Sequence, residues 1–544
     1  MLRAVLPSMP QMRAVRTFDL RAPIERVRQS VEAEFDTSPA QEVESRADLH
    51  VNRIGGIDGD TYLSIALTEV DEHTTGVVLS VNSHMRVPFF GWVFHGLILG
   101  QLERRADHCL ARLESALNGN PAPESLKAPL LLANVPFTAA QASLLASAAF
   151  ATTLGGFGGA LLGQNAQNIQ DDFGIADSSL TNMLAMSRTG ALVALFVMRL
   201  ADRIGRRRII LTALVGVGIG NTLTAFAPDI YTLTALQAVT RGFVGAALIV
   251  AGIAAIEEAP EGARAFATAM LAMSGGMGFT LVIVMLPLAD IGDEAWRVSY
   301  LASGLTLFAV RPLSRALRET RRYTRVAAAD IERGRAGEVV DRQYGKRFAV
   351  LAAVGFMTNM LSAPSAQLMN KYLEDDRGFS NSGITGFKTV TSGLPGFIGI
   401  VLAGRLTELR GRRPVAAVFL ALTGLAQIGF FLSEGAALYV FAILSVLAAS
   451  CGGLAISTMG AELFPTEVRG TSNGMLLVVS VVGSASGLIL AGQLSDPFGG
   501  IGRAIALCAI PTVIAAIVFV PRLPEPAGHD LDEISPSEEE PAHG

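Results

Sequence analysis

The chain has 544 residues, of which 50% are hydrophobic and only 17% charged, with a mean hydropathy of +0.43. A water-soluble protein of this length carries more charge, and a net charge of −5 offers no basic surface to a nucleic acid. Cys109, Cys451 and Cys508 lie too far apart for a disulfide framework or a metal cluster, and the seven histidines show no ligand spacing. Neither a metal nor a cofactor is therefore expected.

In chain order, the apolar run after Arg3 is broken by Pro7 and Pro10 and is too short for a secretory signal, and Met12 is read as an alternative initiator. Residues 12–120 are polar and contain no spanning segment. Arg16-Thr17-Phe18-Asp19-Leu20 alternates as a strand does, and Pro23 opens a short amphipathic helix. Two β-rich runs near 60–70 and 73–83 meet at the turn Glu72-His73. A helix over about 90–118 places Phe94, Ile98, Leu102, Cys109, Leu113 and Leu117 largely on one face. The opening FDLRAPIERV and the closing LERRADHCLARLESALNG resemble the START-like, polyketide-cyclase-like helix-grip domains. That resemblance implies a small α+β domain with an apolar ligand under its long helix. The alternative is a domain used only for docking or folding.

Residues 121–136 form a linker around Asn120-Pro121-Ala122-Pro123. Apolar stretches follow at about 138–163, 179–199, 209–227, 231–256, 265–288, 297–313, 347–370, 382–403, 414–432, 436–461, 469–492 and 502–520. A bilayer needs roughly 20 apolar residues per helix, and only the stretches near 297 and 502 are marginal. The expected fold is mainly α: twelve transmembrane helices in two six-helix bundles, 137–310 and 347–522, joined by a loop at 311–346. An acidic tail, 523–544, ends the chain. The connection 311–347 carries eleven Lys and Arg against five Asp and Glu, whereas 164–178 holds Asp171, Asp172 and Asp177 and no base. Basic loops stay inside, so both termini and residues 12–120 are expected in the cytoplasm of a plasma (inner) membrane protein.

Two motifs recur at nearly one offset. Arg199-Leu200-Ala201-Asp202-Arg203-Ile204-Gly205-Arg206-Arg207 returns 206 residues later as Arg405-Leu406-Thr407-Glu408-Leu409-Arg410-Gly411-Arg412-Arg413. Glu257, Pro260 and Arg264 return 205 residues later as Glu462, Pro465 and Arg469. An internal repeat of this kind in a membrane chain marks a transporter whose two halves rock about a central site.

The two arginine-rich loops, ELFPTEVRGTSNG at 462–474, and the weaker marks RETRRY and LPEPAGHDLDEI resemble the major facilitator superfamily over 137–534. The pattern departs from the family at Met198, where a glycine opens the motif, and at Thr407-Glu408, where Ala-Asp stands. The resemblance implies gates on the cytoplasmic side built from Asp202, Gly205, Arg206, Glu257 and Arg264 in one half. Glu408, Gly411, Arg412, Glu462 and Arg469 are their counterparts in the other. Acids beside permanently charged arginines form charge-assisted bonds that break when the halves rock. The bland reading is that these arginines only set topology.

Ionisable residues within a span are costly and hence candidates for function. Arg188, Arg241 and Lys388 are such residues, and no acid accompanies them. Arg241 opens Arg241-Gly242-Phe243-Val244-Gly245, which resembles a fourth-helix motif whose arginine is tied to proton coupling. Gly158 stands where many proton-coupled relatives carry an Asp, which argues against proton symport through the first helix. Buried cations without an anion favour an anionic solute. Their alternative partners are carbonyls or water, and Lys388 has the reach to snorkel. Gln164 and Asn165 near the end of the first span, and Asn359, Gln367 and Asn370 along the seventh, complete the candidate substrate set. Gln167 and Asn168 cluster with Gln164 and Asn165 and have two readings, part of the same polar site or simply outer loop.

No phosphate-binding loop is present, so ATP is not expected to drive the chain. The expectation is a secondary transporter, not an enzyme, with a small organic solute as substrate, a bilayer as surroundings and a proton as the candidate coupling ion. The rivals are efflux of a hydrophobic compound handed over by residues 12–120 and a sensor that has lost transport.

Overall fold

The alternating pattern near residue 16 and the turn at 72–73 become antiparallel sheet, and the long apolar runs become helices. The computed structural model describes residues 12–34, 37–39, 47–51, 61–83, 89–118, 120–121, 137, 139–193, 204–260, 263–292, 294–320, 342–464 and 466–525. They fall into two compact units: 1–150 with 252–271 and 315–322, and 151–251 with 272–314 and 323–544.

In the first unit, β1 (Met12–Leu20), β2 (Thr37–Pro39), β3 (Ala47–Val51), β4 (Thr61–Asp71) and β5 (Thr74–Ser83) form one antiparallel sheet in the order β1-β5-β4-β3-β2. The β4–β5 hairpin turns at Glu72-His73, as the sequence predicts, and pairs Ile65 with Leu79 and Leu67 with Val77. These four residues share one buried face. Helix α1 (Ile24–Glu34) buries Val27 and Val31, and α2 (Gly91–Asn118) buries Cys109, Leu113 and Leu117. The side chains of Phe94, Ile98 and Leu102 lie outside the described set. Arg16 Nε donates to Asp107 at 2.7 Å, tying α2 to β1.

The remaining helices are α3 (Ala139–Gln164), α4 (Ala166–Phe173), α5 (Asp177–Arg188), α6 (Arg206–Thr224), α7 (Ile230–Glu258), α8 (Arg264–Met285), α9 (Trp296–Ser303) and α10 (Leu305–Ala316). The second half contributes α11 (Arg342–Gln367), α12 (Asn381–Lys388), α13 (Leu394–Arg410), α14 (Arg412–Leu432), α15 (Ala436–Glu462), α16 (Thr466–Phe498) and α17 (Ile501–Ile514). They overlap every predicted stretch. Among the described residues, eight helices are long and apolar enough to cross a membrane. The stretch near 502, expected to be marginal, is the most apolar of the eight. Large apolar side chains such as Val284, Phe308, Val418, Val440 and Ile517 are exposed, as a lipid-facing surface requires.

The repeat is also legible in packing. On α8, a Cβ at Gly278 would stand 2.1 Å from the Thr153 carbonyl oxygen of α3. On α16, 205 residues later, a Cβ at Gly483 would stand 2.4 Å from the Phe356 carbonyl oxygen of α11. Each half therefore brings its first and fifth helices into backbone contact through a residue without a side chain.

Of the two readings of Gln167 and Asn168, the outer-loop one needs correction. They are not loop residues but lie in α4, which continues the line of α3 after a break at Asn165 (φ −99°, ψ 11°). The amides of Gln167 and Gln170 find acceptors in Asp171 and Asp177, so the polar run is buried as helix.

Candidate functional site

Three polar layers follow one another along the line where α3 and α4 meet α11 and the residues after it. The first holds the two arginines. Arg188 ends α5 and Arg241 lies within α7; Gly190 lets these helices approach, because a Cβ there would stand 1.8 Å from the Ala238 carbonyl oxygen. With its amide oriented to satisfy both groups, Gln367 Oε1 accepts from Arg188 Nη2 at 3.1 Å and from Arg241 Nη2 at 2.8 Å. Gln367 is buried, whereas both arginines retain partial exposure. Each guanidinium has five N–H donors, and among the described residues neither arginine has a carboxylate partner. Two forked donors converging on one neutral oxygen form a site that a carboxylate, with two charged oxygens, satisfies better.

The second layer holds Lys388, the last residue of α12, which is 3% exposed and does not snorkel. Its Nζ donates to Gln164 Oε1 at 2.6 Å and to Asn370 Oδ1. Asn370 Nδ2 in turn donates to the Gln164 backbone oxygen at 2.6 Å. Gln164 belongs to the first half and the other two to the second.

The third layer is ionic. Lys371 Nζ lies 3.0 Å from Asp177 Oδ1 and 2.5 Å from Asp375 Oδ2, and donates to Gln167 Oε1 at 3.3 Å. Asp177 also accepts from Gln170 at 2.8 Å and from Ser495 of α16 at 3.0 Å. Nearby, a Cβ at Gly492 of α16 would stand 1.9 Å from Thr181 Oγ1 of α5, so the two halves touch directly here. Asp290 accepts from Asn381 at 2.8 Å and from Ser382 Oγ at 2.9 Å. Burial pushes the Asp177 carboxyl up, but the Gln170 hydrogen bond and the Lys371 charge outweigh it and hold it below the usual range. Burial pushes Lys371 down, and the bond to Asp375 with the charges of Asp375 and Asp177 lifts it above its usual value. Glu374 goes the other way. Burial, then the charges of Asp171, Asp375 and Asp290, push it up to about 7, and among the described residues its buried Oε2 has no partner.

The other predicted substrate residues lie elsewhere. Asn165 Nδ2 donates to the Leu161 carbonyl at 3.0 Å and to Ser299 Oγ at 3.2 Å, within its own half. Asn359 donates to the Gly355 carbonyl at 2.9 Å and accepts from Ser484 Oγ at 3.4 Å, linking α11 to α16. At Gly158 a Cβ would meet Val217 Cγ1 at 2.3 Å and Asn221 Nδ2 at 2.9 Å. Asn221, held by the Gly158 carbonyl, Ser303 and Gln237, fills the space that an acid on the first helix would need.

The arginine-rich loops also show their kinship in geometry. Gly205 (φ 104°, ψ 150°) and Gly411 (φ 87°, ψ 160°) occupy the same left-handed position immediately before α6 and α14. Arg207 Nη2 donates to the Ser314 carbonyl at 2.6 Å, and Arg413 Nη1, its counterpart, to the Leu523 carbonyl at 3.3 Å. Arg206 and Arg412 open the two helices. Glu525 accepts from the backbone N–H groups of Arg412 and Arg413 at 2.8 and 2.9 Å, a carboxylate on a helix N-terminus. Glu319 stands 206 residues before it. Glu257 Oε2 accepts from Thr320 Oγ1 at 2.9 Å. Asp202 lies outside the described residues, as do the side chains of Arg264, Glu408, Glu462 and Arg469.

The family model described as the Major Facilitator Superfamily matches residues 148–400 and 348–539. The chain belongs to that superfamily. Among curated relatives, the gallate transporter of Pseudomonas putida is 24% identical over 71% of this chain and 93% of its own length. A putative niacin/nicotinamide transporter of Bacillus subtilis is 25% identical over 54% of this chain and 74% of its own. Among solved structures, the inward-open xylose transporter of E. coli aligns with a TM-score of 0.61 at 15% identity, over 72% of this chain and 99% of that one. At that identity the likeness is one of fold. Homologues of this superfamily chain are thus named as transporters, and its apolar helices make it a multi-pass membrane protein.

Sequence reasoning missed Lys371, Asp177, Glu374 and Glu525 as site residues. Their charges lie in loops or at helix ends, where ionisable residues are unremarkable. Only the common spacing of Glu319 and Glu525 within the repeat could have singled out the last.

Proposed function

We propose that this protein is a secondary carrier that moves a small organic anion across the plasma membrane by alternating access. The observation that carries the reading is the pair Arg188 and Arg241 converging on Gln367 with no carboxylate partner among the described residues. Gallate and niacin, named for two relatives, are small aromatic carboxylates, which suits two guanidiniums beside a neutral amide. Twelve spans, with the arginine-rich loops and both termini in the cytoplasm, accord with the overlap of helices and predicted stretches and with the basic bias of 311–347. The three polar layers then close the outer side. The signature residues Asp202, Arg206, Glu257 and Arg264 gate the inner side. In the first unit, the order strand, helix, antiparallel strands and long helix supports a shortened START-like domain.

The test is binding and flux with a matched pair, nicotinate and its neutral amide nicotinamide, alongside gallate. The purified protein is expected to be stabilised against heat by nicotinate or gallate and not by nicotinamide. In proteoliposomes, Asp202→Asn is expected to slow uptake of the bound acid, and removal of residues 1–120 to leave its affinity unchanged. Equal binding of nicotinate and nicotinamide would remove the anion reading.

A further inference from the structure

We infer that Lys388 makes closure of the end bearing Asp177 and Lys371 conditional on an anion being aboard. The inference rests on the anionic-solute reading above and extends it from binding to conformational control.

Lys388 is enclosed by hydrogen-bond acceptors that carry no charge, Gln164 Oε1 and Asn370 Oδ1. Amide oxygens satisfy the N–H groups of an ammonium but do not compensate its charge, and an uncompensated charge held away from water is costly. The carboxylates in the adjoining layer, Asp177 and Asp375, are already engaged by Lys371. On the opposite side lies the arginine layer. Gln367, which holds both guanidiniums, precedes Asn370 by three residues, so the layers are just under one helical turn, ~4.5 Å of rise, apart. Gly163, next to Gln164, packs on the same Gln367, since a Cβ there would stand 3.1 Å from its Cγ. Closing this seam therefore gathers three cations with no carboxylate in either layer among the described residues.

The two acceptors of Lys388 belong to different halves. When the halves part at this end, Lys388 keeps Asn370, loses Gln164 and regains water. An empty carrier that closes must bury the ammonium beside two guanidiniums. A carrier holding a carboxylate on the arginine pair closes around a compensating charge about one turn from Lys388. The anion thus has a differential affinity for the closed state, which is what a ligand needs to shift a conformational equilibrium. Lys388 does not need to touch the solute to do this; it is a positioning residue acting through charge.

A simple latch and a charge brake make opposite predictions for the neutral variant. Spin labels on cysteines at Ser178 and Phe498, both exposed and flanking the Asp177–Ser495 contact, report closure in the full-length protein. In the wild type, nicotinate is expected to raise the closed-to-open ratio about tenfold and nicotinamide to leave it unchanged. In Lys388→Met the empty carrier is expected to be closed already, with less than about a twofold change on adding nicotinate. Lys388→Gln, which keeps a polar group, should behave as Lys388→Met does, and Lys388→Arg should restore the dependence. An empty Lys388→Met and Lys388→Gln carrier more open than wild type would overturn the inference, because that is what loss of a plain latch gives. If calorimetry shows neither nicotinate nor gallate bound by the wild type, the anionic-solute reading fails. The empty-carrier distances then still decide whether Lys388 acts as a brake.

Discussion

The arginine-rich loops and the polar seam are both built from charge, yet one repeats and the other does not. Gly205 and Gly411 share a backbone conformation, and Arg207 and Arg413 each staple their loop to a carbonyl near the end of their own half. Along the seam the halves are unlike. The first supplies Arg188, Arg241 and Gln164, and the second supplies Gln367, Lys388 and Asn370. The rocking proposed above would ask the same movement of each half, so the elements that serve it can be common to both. The proposed solute has no such symmetry, so the seam proposed to receive it need not repeat.

The largest effect should come from breaking the asymmetric part. Arg188→Gln or Arg241→Gln removes a charged donor to the solute and should weaken nicotinate or gallate about 10- to 100-fold by titration calorimetry. Wild-type affinity in both variants would move the substrate away from this layer. The symmetric part can be tested by paired substitutions. Gly278→Ala and Gly483→Ala each push a methyl onto a carbonyl oxygen of the facing helix, and each should cost about 1–3 kcal/mol of thermal or denaturant stability. Unequal costs would show that the halves have diverged in packing as well as in chemistry.

A smaller effect is expected at the loop. Glu525→Gln keeps the shape but loses the negative charge on the N-terminus of α14, about 0.3–1 kcal/mol. Its readout is earlier proteolysis at residues 410–413 with solute binding intact.

Smallest is a shift in a pH profile. Glu374 titrates near 7 with this end closed and nearer its ordinary 4.5 where water reaches it. Because closure raises the value, protonation favours the closed arrangement. The advantage is full below about 4.5, declines as pH rises towards 7 and is absent above it. Glu374→Gln should flatten the pH dependence of the Ser178–Phe498 distance between pH 4.5 and 7; an unchanged profile would assign the dependence to another group.

Much of the fold was legible because its causes are local or periodic. The hairpin at Glu72-His73 and the helices over the apolar stretches follow from side-chain alternation and run length. The site was legible in part. Arg188, Arg241, Lys388, Gln164 and Gln367 stood out because polar groups in apolar runs are rare. Their division into an arginine layer and a lysine layer was not legible, nor was the separation of Asn165 and Asn359 from both. Those facts depend on which helix faces which, over separations such as the 224 residues between Gln164 and Lys388.

By itself, then, the sequence determined the class of protein, its internal repeat and a short set of costly charges within apolar stretches. Each follows from composition, period or the energetics of a charge in lipid. Only the tertiary structure decided that two arginines share one glutamine, that Lys388 is caged by neutral amides, and that Lys371 bridges Asp177 and Asp375. The reason is that a charge's partner is set by packing between helices distant in the chain, and neither spacing nor composition encodes which one it meets.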